Sequence, residues 1–420
     1  MRSARPRRTE GRNRNYHLQA LIGLRPRNLY GKAHRAGKAR LGLRSRNKED
    51  DVRMSAPDCV IGRSKWELDT PALLVDLPAM GRNIERLARA CRDAGVGWRP
   101  HTKAIKVPAL AHKLLAAGAH GITCAKLGEA EVMAAAGIRD ILIANQIVGP
   151  QKITRLVNLL RHADVIVAVD DEVNVRALSA AAVEKSVRLR VVVEVDVGMG
   201  RAGTPPGEAT VTLGRLVHGC PGLEFTGLMG WEGHATVVAD PVEKRKAITH
   251  AVGLLTASAA RCREADLPVR IVSCGGTGTY SVTARLPGIT EIQAGGGILG
   301  DVLYRERMGA DPEFALTILA TVSSRPTATR IICDAGKKTM SSDAAPPRPL
   351  GIDHVKHVHL SAEHARIELE RPDTVLQVGD KVEFVAGYSD TTVFLHDELY
   401  GTREDRVEIV WPVLGRGKLR

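Results

Sequence analysis

Four short stretches of the sequence combine residue types that could do chemistry. The first is Arg99-Pro100-His101-Thr102-Lys103-Ala104-Ile105-Lys106. A lysine amine just beyond a short strand, beside His101 and Arg99, has neighbours that can lower its pKa, so it can react with an aldehyde and carry a Schiff base. The same residues also read as a solvated basic loop. The second stretch, residues 193–203 (VEVDVGMGRAG), ends a strand in a glycine-rich turn that carries Arg201. Glycines let a backbone approach a ligand closely, and Arg can direct a hydrogen bond at a ring nitrogen or an oxyanion. Glu194 and Asp196 are two positions apart, a pair that is either catalytic or hydrogen-bonded framework.

The third stretch is Ser273-Cys274-Gly275-Gly276-Thr277-Gly278-Thr279-Tyr280, followed at some distance by Gln293-Ala294-Gly295-Gly296-Gly297. Backbone N–H groups and Thr hydroxyls in such turns form an anion cradle. No GK[ST] follows, so this is not a Walker loop; the alternative reading is a pair of tight turns. The fourth is Gly387-Tyr388-Ser389-Asp390-Thr391-Thr392-Val393, then Leu395-His396-Asp397. Asp390, His396 and Asp397 suit a divalent metal only weakly. His354, His357 and His359 read as an exposed strand surface.

Elements able to position these stretches alternate along the middle of the chain. Strand candidates fall at 72–75, 121–125, 141–145, 165–169, 189–195, 224–229, 269–273 and 291–293, with runs such as VIVAV and RVVVEV that are apolar on both faces. Such runs suit parallel strands covered by helices. Helix-like stretches lie between them, punctuated by Gly95, Gly118, Gly137, Gly149, Pro221 and Pro268. About eight such units over residues 70–310, with glycine-rich turns after the late strands, predict a (β/α)8 TIM-type barrel rather than a doubly wound sheet. In a barrel the strand ends that carry Lys103, Arg201 and the glycine turns converge on one face. From residue 311 to 420 the helical period disappears and short β segments follow one another, so a C-terminal β-domain is predicted, with residues 54–69 contributing. Residues 340–349 read as a loop.

Composition narrows the partners. The chain has 420 residues and a net charge of +13, yet residues 1–50 carry 15 Lys and Arg against three acidic residues. The remainder is close to neutral and offers no basic face for a phosphate backbone, so nucleic acid is not an expected partner. Residues 1–53 read as a basic, disordered extension, and Met54 as a natural start. No run of about 18 apolar residues suggests a membrane span. Seven scattered cysteines without a C-x-x-C pair suggest reduced thiols and a cytoplasmic location.

Several of these motifs, in order, resemble the fold-type III pyridoxal 5'-phosphate (PLP) enzymes of the alanine racemase type, within them the D-threonine aldolase and D-serine dehydratase group. The resemblance runs from about Leu68 to the C-terminus through LDTPALLVDL with Asn83, RPHTK, CAKLGEAEVMAAAGIRDILIANQIVGP, EVDVGMGRAG, GGTGTY, DAGKKTMSSD and QVGDKVEF. It implies PLP as cofactor, held by Lys103 as a Schiff base beside His101, with Arg201 at the pyridine nitrogen. It further implies that Gly275, Gly276, Thr277, Tyr280, Gly295 and Gly296 surround the phosphate, and that the enzyme is a homodimer acting on a small D-amino acid.

An Arg rather than a carboxylate at the ring nitrogen would leave that nitrogen unprotonated and the cofactor a weaker electron sink. Family aldolases and dehydratases carry a His followed two positions later by Asp or Cys, the ligands of a metal that polarises the substrate β-hydroxyl. Here that pair is Tyr388 and Asp390, which leaves Asp390 as the one metal candidate and the metal itself open. Ile105, Trp231 and Glu232 are further departures. The expected activity is cleavage of a D-β-hydroxy-amino acid to glycine and an aldehyde, with Lys103, Tyr388 and Asp390 as catalytic residues and Glu232 as another candidate base. The alternatives are dehydration as in D-serine dehydratase, metal-independent racemisation through Lys103 and Tyr388, and a non-catalytic PLP-binding protein.

Overall fold

The computed structural model describes residues 60–420 of the chain; the predicted basic extension, residues 1–53, and Cys59 lie outside the described residues. Eight parallel strands lie in the order β2-β9-β8-β7-β6-β5-β4-β3: β2 (Gly97–Trp98), β3 (Ile122–Cys124), β4 (Asp140–Gln146), β5 (Asp164–Val169), β6 (Leu189–Val195), β7 (Leu223–Gly230), β8 (Ile271–Cys274) and β9 (Glu291–Ile292). A parallel bridge between His101 and Thr123 closes β2 against β3, supported by bonds from the His120 N–H to the Trp98 carbonyl and from the Thr123 N–H to the Pro100 carbonyl. The result is the expected (β/α)8 barrel.

The strands are apolar on both faces because both faces are covered. Leu142, Ile166, Ala168, Val192, Met229 and Ile271 form a cluster of their own, while the alternate residues, such as Ile143, Val167 and Val193, join the larger core with the helices. The helices are α1 (Leu77–Ala94), α2 (Pro108–Ala116), α3 (Leu127–Ala135), α4 (Pro150–Leu159), α5 (Glu172–Glu184), α6 (Glu208–Gly219), α7 (Pro241–Glu264) and the one-turn α8 (Tyr280–Thr283). On α1, Met80, Ile84, Leu87 and Cys91 repeat at helical spacing and are buried, the Asp76 carboxylate caps the first turn at the Ala79 N–H (2.7 Å), and Gly95 ends the helix in the left-handed region. The Asn83 side chain bonds the Ile298 carbonyl and both backbone groups of Glu313, which fixes α1 to the chain leaving the barrel.

The second sheet has nine strands. One of them is β1 (Ala72–Asp76), which pairs antiparallel with β10 (Leu316–Thr327) and parallel with β16 (Glu398–Arg403). The sequence reading that took residues 72–75 as the first barrel strand, in a barrel starting at 70, is therefore corrected. An ALLV run buried on both faces looks the same in either sheet, and the true first strand, Gly97–Trp98, is too short to show a pattern. The other members are β11 (Arg330–Cys333), β12 (Arg348–Pro349), β13 (Val355–Leu360), β14 (Ala365–Leu369), β15 (Lys381–Val385) and β17 (Arg406–Pro412). Among the described residues no helix is long and apolar enough to cross a membrane, and five of the six cysteines are buried as free thiols, Cys220 being half-buried.

A charged network braces the barrel closure. Arg99, 2% exposed, bonds Asp140 at 2.6 Å and Glu291 at 3.0 Å, and His120 reaches Glu291 from its other side at 3.0 Å. Burial opposes ionisation of Glu291, but His120 and Arg99 outweigh it and hold the carboxyl down at about 2. These groups sit where β4 and β9 begin, away from the strand ends that carry Lys103, so Arg99 is not the neighbour of the lysine amine that the sequence suggested. Arg99→Met would remove the guanidinium that pairs with Asp140 and leave buried Glu291 with His120 as its remaining charged partner. We expect it to cost about 3–5 kcal/mol, read as a large drop in the chemical-denaturation midpoint; a loss within ordinary surface-mutation scatter would show that the network is dispensable.

Candidate active site

At the carboxyl ends of the barrel strands lies a cavity of about 330 Å³, within the usual range of ligand sites. Lys103 enters it from a single 3-10 turn, Thr102–Ala104. The turn is fixed from three sides: the Thr102 hydroxyl donates to the Thr123 carbonyl (3.0 Å), the Lys103 N–H donates to His101 Nδ1 (3.3 Å), and the Gly415 N–H donates to the Lys106 carbonyl (2.9 Å). Burial holds the His101 imidazole well below its usual pKa, helped by Lys103, Lys106 and Arg201, so the ring is neutral.

Arg201 enters from the turn after β6. Its guanidinium lies 3.4 Å from Glu194, which also accepts a 2.6 Å bond from Gln146. Burial raises the Glu194 pKa against the lowering by these two partners. Asp196 is not its partner in chemistry. Its carboxylate accepts the N–H groups of Gly198 and Gly200 at 3.0 Å each and shapes the turn, and those bonds lower its pKa.

The glycine turns line the cavity with Gly275, Gly276, Thr277, Gly278, Gly295 and Gly296, and the Gly297 N–H donates to the Thr277 hydroxyl (2.9 Å), joining the two turns. They are glycine because the approach is close. A Cβ on Gly276 would come within 2.3 Å of the Trp231 ring, and one on Gly295 within 2.2 Å of the His101 carbonyl. Glu232 stands behind the turn, 1% exposed, accepting from the Gly275 N–H and the Thr279 and Thr283 hydroxyls. It braces the turn, which corrects its reading as a candidate base. Tyr280 likewise does not line the cavity; its ring packs against the core at the start of α8.

The β-domain supplies the far wall. The Lys103 amine lies 3.2 Å from Asp390, the Tyr304 hydroxyl donates to Asp390 at 3.3 Å, and the Tyr388 hydroxyl bonds both Asp390 and Tyr304. The two tyrosine rings meet edge to face at 5.8 Å, and burial, with Asp390, pushes both hydroxyls well above their usual pKa. Tyr304 and Asp301 were missed in the sequence, though a lone acid in the apolar run GGILGDVLY was a usable signal. Asp301 is fully buried and accepts from the Ser389 N–H (2.8 Å), the Ser389 hydroxyl (2.7 Å) and the Tyr304 N–H (2.8 Å). His396 lies apart, bonded to the Thr339 carbonyl.

A barrel with a lysine amine at the exit of its first strand, paired glycine turns at its last strands and a β-domain closing the mouth defines the PLP barrel of the alanine racemase type. Residues 75–302 match the family model described as alanine racemase, N-terminal domain, and residues 315–402 the one described as putative serine dehydratase domain. The chain belongs to this family, the alanine racemase-like, fold-type III PLP enzymes. It is 36% identical over 370 residues to 3-hydroxy-D-aspartate aldolase of Paracoccus denitrificans (strain Pd 1222), covering 85% of this chain and 94% of that one. It is 33% identical over 353 residues to D-threonine aldolase of an Arthrobacter species, covering 83% and 93%. The crystal structure of D-threonine aldolase from Filomicrobium marinum superimposes with a TM-score of 0.83 at 33% identity, covering 86% of this chain and 99% of that one.

The cavity fits PLP: an amine projects into it, and its glycine turns leave no room for side chains. Its donors do not match the two-ligand metal site of the family: Tyr388 stands where the His would be, Asp390 is the one carboxylate left, and among the described residues no larger group of His, Cys, Asp or Glu gathers to replace the pair.

Burial pushes the Asp301 carboxyl up to about 7, against its three donors. An unfolded aspartate titrates near 3.9, so the native state holds the extra proton between about pH 4 and 7 and loses stability as pH rises through that window. Asp301→Asn should flatten this part of the stability curve relative to the parent, by on the order of a few kcal/mol. Denaturation midpoints across about pH 4 to 8 check it; parallel curves would remove Asp301 as the source.

Proposed function

We propose that the chain is a PLP-dependent lyase of the D-threonine aldolase type, splitting a small D-β-hydroxy-amino acid into glycine and an aldehyde. The observation that carries this reading is the pairing of Lys103 with Asp390 across the cavity, a cofactor-bearing amine beside a carboxylate able to take a hydroxyl proton. The aldolases among its relatives support it.

Lys103 would hold PLP, Arg201 would face its ring nitrogen and Gly275, Gly276, Thr277, Gly295 and Gly296 its phosphate. When bound, the cofactor supplies a sink for the electron pair released at the substrate α-carbon. Neutral His101 fits an uncharged wall of the cofactor site, and the Glu194 partner restrains the Arg201 guanidinium. Asp390 accepts the β-hydroxyl proton. The O–H electron pair then becomes the aldehyde carbonyl as the Cα–Cβ bond breaks, and its electrons stay on the α-carbon until a proton returns there. Tyr388 and Tyr304 orient Asp390 through their hydroxyls.

A second reading, racemisation by Lys103 and Tyr388 from opposite faces, has in its favour that both side chains line the cavity; the raised Tyr388 pKa weighs against it. The family resemblance supports a homodimer, and the free, mostly buried cysteines support a reducing, cytoplasmic setting. Exposed Met199, Val237 and Val242 by the Trp231 turn are apolar surface that a second copy would cover.

The deciding assay offers D-threonine, D-serine and D-alanine to the PLP-loaded protein. Glycine and aldehyde should form from D-threonine, falling at least about 10³-fold in Lys103→Ala and about 10²–10⁴-fold in Asp390→Asn. Loss of chirality with no cleavage would replace the lyase by a racemase, and keto acid from D-serine alone would replace it by a dehydratase.

A further inference from the structure

We propose that the β-hydroxyl end of this site works without a divalent metal, a hydrogen-bonded Tyr304–Tyr388–Asp390 network facing Lys103 standing where a metal would be. The proposal rests on the lyase reading for its chemistry and on the donor set for its structure.

A divalent ion at this position needs several anionic or imidazole donors converging on one point. Asp390 provides one carboxylate, and both of its oxygens are engaged, one by the Lys103 amine at 3.2 Å and the other by the Tyr304 hydroxyl at 3.3 Å. Tyr388 stands where a ligating His would be. A phenol is not among the usual donors to such an ion, and this hydroxyl is engaged with Asp390 and Tyr304.

The neighbouring candidates are all committed elsewhere. Asp301 is filled by Ser389 and Tyr304 donors, His396 is bonded to the Thr339 carbonyl, and His101 accepts the Lys103 N–H. A dication added here would also meet the Lys103 amine, already in contact with the one available carboxylate. The network supplies what the ion otherwise would. Asp390 takes the β-hydroxyl proton directly, and the two phenols hold its orientation and stabilise its charge until it does. The bookkeeping of the step is unchanged: one proton moves from the hydroxyl to Asp390, the Cα–Cβ bond breaks, and the aldehyde leaves.

The test uses the PLP-loaded enzyme after exhaustive dialysis against EDTA. Elemental analysis should find metal well below one ion per chain, titration calorimetry with Mn²⁺ should show no stoichiometric site, and D-threonine cleavage should change less than about twofold with EDTA or with Mn²⁺. Tyr388→His should acquire Mn²⁺ binding in the calorimeter. One ion retained per chain, or cleavage lost to EDTA and restored by Mn²⁺, would overturn the proposal. If D-threonine goes uncleaved under every condition, the lyase reading falls by itself. Calorimetry on the same holoenzyme then still decides the metal question: one Mn²⁺ site per chain sinks the proposal, and none upholds it.

Discussion

One buried carboxylate, Asp301, joins the two halves of the site. Residues 301–304 leave the barrel alongside residues 386–389 of the β-domain, with the Val302 and Leu303 N–H groups bonded to the Ala386 and Gly387 carbonyls. Asp301 completes this seam by accepting both the backbone and the hydroxyl of Ser389 and, on its other oxygen, the Tyr304 N–H. An acceptor-only group suits three converging donors, whereas an amide would turn an N–H toward one of them. Because Ser389 lies between Tyr388 and Asp390, fixing it fixes both, and through Asp390 it fixes the partner of Lys103. Burial makes the carboxylate costly, and its three donors, gathered only in the assembled site, offset part of that cost.

Lys103 in turn depends on the weakest seam of the barrel. The strand β2 has two residues, so closure rests on the His101–Thr123 bridge and a few single bonds rather than a long ladder. The Arg99 network at the strand starts and the Thr102 hydroxyl at the strand ends supply the order that a longer strand would give. A short strand also frees the chain to turn immediately, which is what sends residue 103 into the cavity rather than along the barrel wall. The same economy explains why Gly295 must be glycine: the last turn passes against the His101 backbone itself.

How much of this could be read in advance follows from which interactions are local. Glycine turns, buried VIVAV runs and a lysine after a short strand leave local patterns, so the barrel, the β-domain and the cavity residues Lys103, His101, Arg201, Gly275 and Gly295 stood out. Strand partnership is not local. Residues 72–75 are equally good in either sheet, and only the pairing with Leu316–Thr327 and Glu398–Arg403 assigns them. Side-chain direction is not local either. Arg99 is four residues from Lys103 yet points to Asp140 and Glu291, Glu232, a candidate base by sequence, sits behind the glycine turn, and Tyr280 begins α8 beside the glycines while its ring turns to the core. Asp301 and Tyr304 were unremarked because their meaning appears only when the β-domain loop arrives 86–88 residues later.

Charge balance gives the Tyr388 substitution its logic. Each cation that reaches the cavity has one carboxylate: Arg201 has Glu194, and Lys103 has Asp390, while His101 is kept neutral by burial among these same cations. A dianionic phosphate can then be met by backbone N–H groups of the glycine turns, which carry no formal charge. Adding a dication beside Lys103 would take Asp390 away from the amine and leave two positive centres sharing one carboxylate in a cavity walled by Trp231, Met229 and Met308. At low local dielectric that arrangement is strongly unfavourable unless further anions arrive. A phenol at position 388 leaves the count of charges as it is and adds a donor to the one carboxylate that must hold its charge until the substrate hydroxyl reaches it.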